Sequence, residues 1–116
     1  MVVITLPVRT VSLLNEREHW SKRAARAAEH RALAHMLVKP QLRAARLELP
    51  VRVTMTRVAP CELDDDNLRG ACKAARDGVA DALGVDDRSP LVQWDYDQRR
   101  GNVREYAVVI EIEKRV

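Results

Sequence analysis

Hydrophobic residues recur along this chain with two periods, two and about three and a half, and the switches between them mark the elements. Val2, Ile4 and Leu6 alternate with other residues, which predicts a first strand ending at Pro7. Residues 8–14 read as a loop. From Glu16 to Val38 the chain is rich in Ala, Arg, Leu and Glu, with Trp20, Ala24, Ala27, Ala28, Ala34 and Val38 at helical spacing. Asn15 is placed to cap this first helix, Glu18 stands in the capping-box position, and Pro40 limits the far end. Trp20 is expected as a core anchor.

Val51, Val53 and Met55 then alternate with Arg52, Thr54 and Thr56, a half-buried second strand closed by Pro60. Leu68, Ala71, Cys72, Ala75, Val79, Ala82 and Leu83 follow i, i+3, i+4, i+7 spacing and predict a second helix. Asp66 or Asn67 caps it, and Gly84 sits where a C′ glycine belongs. Val92, Trp94 and Tyr96 share one side of a third strand and are expected to pack there. Tyr106, Val108, Ile110 and Ile112 mark a fourth, and Arg99-Arg100-Gly101-Asn102 reads as a hairpin turn between the last two. The order β-α-β-α-β-β predicts an α/β (α+β) fold, one domain over residues 1–116, with a mixed sheet and two main helices.

Composition refines this picture. Phe is absent and aromatics are 3% of the chain, so Val, Leu, Ile and Ala must build the core. Cys61 and Cys72 are too few for a disulfide framework and read as reduced and cytoplasmic. No membrane span or signal peptide is expected: the opening apolar run has no basic leader and stops at Pro7. The formal net charge of +3 conceals a strong segregation. Residues 1–46 carry +6 and residues 47–61 carry +1. Residues 62–97 carry ten acids against four bases, net −6, and residues 98–116 return to +2. Such asymmetry points to a polyanion partner around a local acidic site, or to plain solvated helix faces.

The densest polar feature is Glu62-Leu63-Asp64-Asp65-Asp66-Asn67. Adjacent aspartates repel unless something positive sits among them. In an extended stretch Asp64 and Asp66 would point to one side and could share a hard cation, with Asp65 facing away. Oxygen ligands of this kind suit Mg²⁺; the competing reading is an overbuilt helix cap. Asp86 and Asp87 follow the helix and stand at its other end, so Asp87 reaches Asp66 only if a loop doubles back or a partner chain supplies it. His19, His30 and His35 have no partner cysteines, which argues against zinc. Lys73, seven residues after Asp66, returns to within about 20° of its helical face. Gly70 lies between them and presents no side chain. Lys73 can lean toward the carboxylates or pair with Asp77 at i+4.

Asp64-x-Asp66-Asn67, then Lys73-x-x-x-Asp77, then Gly84-Val85-Asp86-Asp87, resembles the RusA family of Holliday junction resolvases, as do Leu14-Asn15-x-Arg17-x-His19-Trp20 and the order of elements. One departure is that the family lysine falls where Gly70 stands here, three residues before Lys73. The resemblance implies a homodimeric, Mg²⁺-dependent endodeoxyribonuclease, with Mn²⁺ as a substitute ion. It would hydrolyse phosphodiesters of four-way DNA junctions in recombination and repair. Asp64, Asp66 and Asp87 would be catalytic and metal-binding, Lys73 would be the required lysine, and Asn67 and Asp86 would support them. Arg17, Lys22, Arg23, Arg26, Arg69, Arg99 and Arg100 are the candidate DNA contacts. The alternatives are a RusA-like DNA-binding dimer without turnover and a protein-interaction module whose aspartates are only caps.

Overall fold

The computed structural model describes residues 1–11 and 19–115. Its elements are β1 (Val2–Leu6), α1 (Trp20–Ala45), β2 (Val51–Ala59), α2 (Asp65–Leu83), β3 (Val92–Arg100) and β4 (Ala107–Lys114). They form an α+β domain with a four-stranded mixed sheet in the order β1-β4-β2-β3. β4 runs antiparallel to both β1 and β2, and β3 runs parallel to β2.

The period-two residues face the helices in cross-strand rows. Ile4, Ile110, Met55 and Tyr96 form one row, and Val2, Ile112, Val53 and Trp94 the next. Cys72, Ala75 and Val79 of α2 and Ala34, Val38 and Leu42 of α1 close over them. This is the Val/Ile/Ala core expected of a chain without Phe. The two helices pack closely because Gly78 has no side chain: a Cβ there would press on the carbonyl oxygen of Arg31 and stand 2.7 Å from the Ala34 Cβ.

Four expectations are corrected. The last two strands do not form a hairpin, because β4 inserts between β1 and β2 and leaves β3 at the edge. Val108, Ile110 and Ile112 are fully buried and need neighbours on both sides. β3, with Asp95, Asp97, Arg99 and Arg100, tolerates an edge, where charge discourages further pairing. Second, α1 runs through Pro40 to Ala45. Pro40 and Met36, whose carbonyl the proline cannot serve, both lie on the solvent side, while Leu42 on the next turn is buried. Third, Trp20 is 68% exposed, because α1 overhangs the sheet and His30 is its first buried residue. The predicted cap Asn15, with Glu18, lies outside the described residues; His19 caps α1, accepting from the Ser21 N–H at 3.2 Å. Fourth, the aspartate run is not extended: Asp65 and Asp66 already lie in the first turn of α2, and Asp64 caps it.

Candidate functional site

The acidic motif opens α2. The Asp64 carboxylate accepts the Asn67 backbone N–H at 2.9 Å, satisfying one of the free donors of the first turn. Asp65 and Asp66 follow, where negative charge complements the helix dipole. All three aspartates are exposed. The loop before them is held from below by two side chains of the sheet. Gln98 accepts from the Leu63 N–H at 2.8 Å and donates to the Leu63 carbonyl at 2.7 Å. Arg57 donates to the Cys61 carbonyl at 2.6 Å and to Thr10 Oγ1 at 2.8 Å. Arg57 is 6% exposed, an unusual place for a guanidinium. It stands inward by the same odd-number parity as Val51, Val53 and Met55, which is the sequence signal that could have found it.

At its other end α2 stops at Gly84, in the left-handed region at φ 74. The chain then doubles back, and Asp87 reaches the middle of the helix. Lys73 Nζ donates to Asp77 Oδ1 at 2.6 Å and to Asp87 Oδ2 at 2.8 Å. Arg76 Nη2 and Trp94 Nε1 both donate to the Asp87 carbonyl, at 2.8 and 2.9 Å. Arg76 Nη1 donates to Tyr96 Oη at 2.9 Å, and its guanidinium lies 4.6 Å from the Trp94 ring centroid. Arg69, one turn before Lys73, stands 5.5 Å from the Tyr96 centroid. Cations of α2 thus alternate with rings of β3 along one edge. Arg76 and Trp94 were not singled out from the sequence as members of this cluster. Their partners are main-chain atoms of a loop whose path no periodicity reveals.

The electrostatics follow from these contacts. The Lys73 hydrogen bond, working against burial, holds the Asp87 carboxyl below the usual range. Burial alone would lower Lys73, but its bonds to Asp77 and Asp87 outweigh that and hold it above its ordinary value. Asp86 stays exposed, accepting the Arg88 N–H at 2.8 Å in the returning loop. Cys72 faces the core as expected, and burial pushes its thiol up to about 11.

The motif residues are therefore partly gathered. Lys73, Asp77 and Asp87 meet. Asp66 lies on the same helical face two turns before Lys73, about 10 Å along the axis. Asp64 is spent on the helix cap. Among the described residues no three His, Cys, Asp or Glu side chains gather closely enough to hold one metal ion. The carboxylates as placed in one chain do not fit the Mg²⁺ site that the motif implies. Of the candidate DNA contacts, Lys22, Arg69, Arg99 and Arg100 are exposed, Arg23 and Arg26 are half-buried against α2, and Arg17 lies outside the described residues. Among the described residues no helix is long and apolar enough to cross a membrane.

No protein-family model matches the chain. It is 35% identical over 104 residues to an uncharacterized protein of Xylella fastidiosa, an alignment that covers 80% of this chain and 67% of that one. The chain therefore belongs to the same family as this Xylella protein.

Proposed function

We propose that this protein acts on branched DNA as a homodimeric, Mg²⁺-dependent endonuclease that resolves four-way junctions, in the manner of the family its motif resembles. The observation that carries this reading is the return of the loop after α2. It sets Asp87 on Lys73, on the helical face of Asp66, so residues spread over more than twenty positions line one exposed edge. An ammonium and a guanidinium on this edge suit a phosphate backbone, and shape would be read through phosphates with little base contact. Two copies with two-fold symmetry match the near two-fold symmetry of a four-way junction. Among the described residues the carboxylates do not converge in one chain. Lys73 and Arg69 supply charge for binding; Arg76 and Trp94 hold the Asp87 segment in place.

The dispersed carboxylates favour a second reading, a junction-binding dimer without turnover. One experiment separates the two. A synthetic four-way junction is incubated with the protein, with and without Mg²⁺ or Mn²⁺, and both retardation and nicking are scored. The nuclease reading expects paired nicks that need the ion and disappear in Asp66→Asn and Asp87→Asn. Salt-sensitive binding with no nicking leaves the second reading. Absence of any salt-sensitive DNA binding overturns both.

A further inference from the structure

Residues 101–106 carry the chain from β3 over the end of β2 to β4. Hydrogen bonds fix this crossing at several points. The Gly101 N–H donates to the Ala59 carbonyl at 2.9 Å, and the Glu105 N–H closes a turn on the Asn102 carbonyl at 3.0 Å. The Glu105 carboxylate folds back and accepts the Asn102 N–H at 2.8 Å. At the tip of the turn Val103 is 85% exposed, the most of any large hydrophobic residue among the described ones. Arg104 beside it is held at φ 63, in the left-handed region where the third position of a turn ordinarily takes Gly or Asn. Neither residue belongs to the core. Strain kept at an exposed tip points to a use outside the fold. Arg99, Arg100 and Arg104 are all exposed, and among the described residues no carboxylate pairs with them. The turn also stands beside the acidic motif. β2 and β3 run parallel and end together, with Ala59 opposite Arg100. From that end β2 leads into the acidic loop, which Gln98 of β3 holds at Leu63.

We propose that this turn is a wedge for the branch point of a DNA junction. Val103 packs on a base pair laid open at the crossover, and Arg99, Arg100 and Arg104 hold the phosphates on either side. A linear duplex stacks its base pairs on one another and offers an apolar tip only groove and backbone. A branch point opens a step and offers a flat apolar face, the kind of surface that inserted apolar side chains occupy. The guanidiniums supply charge-assisted donors to phosphate oxygens and the sequence-independent part of the affinity. The fixed turn presents these groups without an ordering cost on binding. The identity of the partner as junction DNA rests on the proposed function; the wedge adds what selects branched over linear DNA.

Fluorescence anisotropy of a labelled four-way junction, and of a linear duplex with the same arm sequence, gives the affinities of the full chain at several salt concentrations. The wild type is expected to prefer the junction. Val103→Ser is expected to lower the junction-to-duplex affinity ratio about tenfold. Arg104→Gly keeps the turn and is expected to weaken both affinities and to reduce the salt slope by about 1, as loss of one phosphate contact does. Leu91→Ser, 44% exposed and just before the other end of β3, is expected to leave both affinities unaltered. Thermal unfolding verifies that each variant is folded. An unchanged ratio in Val103→Ser, or no junction preference in the wild type, overturns the wedge even where the junction is nicked. An unchanged salt slope in Arg104→Gly overturns the phosphate grip. If the preference falls with Val103→Ser while the wild type cuts no junction in Mg²⁺, the wedge stands and the hydrolytic reading falls. No DNA binding by the wild type overturns both.

Discussion

The indole Nε1 of Trp94 donates a 2.9 Å hydrogen bond to the backbone carbonyl of Asp87. The bond ties the third strand to a loop that would otherwise leave α2 at Gly84 and run directly to the sheet edge. Arg76 reaches the same carbonyl from the helix, so strand, helix and loop share one acceptor. Trp94→Phe keeps the ring beneath Arg76 and removes the donor. The expected cost is about 1 kcal/mol, the net worth of one hydrogen bond, read as a shift in the urea midpoint with unchanged slope. A shift several-fold larger would mean that the ring's packing, and not the donor, holds the loop.

Lys73→Gln removes the ammonium that bridges Asp77 and Asp87. The Asp87 carboxyl, which that ammonium holds below the ordinary 3.8, is expected to return toward it. A depressed folded pKa contributes stability that is present above the unfolded value and is lost as pH falls through the folded one. The wild type should therefore keep this contribution at neutral pH and lose it below about pH 4, while the variant lacks it throughout. Asp87 carboxyl shifts followed by NMR test this; an unchanged Asp87 titration in the variant would place the cause elsewhere.

Gly78 and Gly84 serve different needs, and alanine separates them. At Gly78 a Cβ would press on the Arg31 carbonyl and on Ala34, forcing α1 and α2 apart. The expected cost is about 1–3 kcal/mol, larger than the gain in helix propensity. At Gly84 the added Cβ meets nothing within 4 Å, so the penalty is only the left-handed backbone, about 1–2 kcal/mol. Thermal unfolding of both variants checks this. A Gly78→Ala protein as stable as wild type would show that the helices can separate without loss.

How much of this was legible in the sequence depends on what periodicity encodes. The α2 stripe, its Gly84 cap and the inward faces of β1, β2 and β4 follow from spacing, because burial of one face is a local property. Neighbour relations are not local: the polar run at Arg99–Asn102 looks like a hairpin turn, yet β4 passes β2 to reach a central position. Trp20 shows a related limit, since its helical spacing is right but the sheet beneath α1 does not extend that far. At the site, the spacing of Asp66, Lys73 and Asp77 gave their shared face. The doubling back that sets Asp87 on Lys73 depends on Arg76 and Trp94 bonding to a main-chain carbonyl. The helix cap at Asp64 consumed a carboxylate that an extended reading had left free.

The two cysteines should differ sharply in reactivity. Cys61 is exposed, while Cys72 is fully buried with its thiol pushed up to about 11 by desolvation, against a small opposing pull from Arg57. Since the thiolate is the nucleophile, an alkylating reagent at neutral pH is expected to modify one site per native chain and two in denaturant. Mass spectrometry of the labelled peptides gives the assignment. Equal labelling of both under native conditions would mean that α2 opens readily from the sheet.

His30 gives the fold a dependence on mild acid. Burial lowers its pKa below 6.5, with Arg26 adding to the effect and Glu29 opposing it. As pH falls below that value the unfolded chain binds a proton that the folded chain refuses, so stability is full above about pH 6.5 and declines beneath it. Denaturation of wild type and His30→Gln at about pH 7.5 and about pH 5.5 isolates this contribution, since carboxylates stay ionised across that interval. The wild type is expected to lose stability between the two and the variant to lose less. Parallel slopes for both proteins would show that His30 binds its proton equally in the folded and unfolded states over this range.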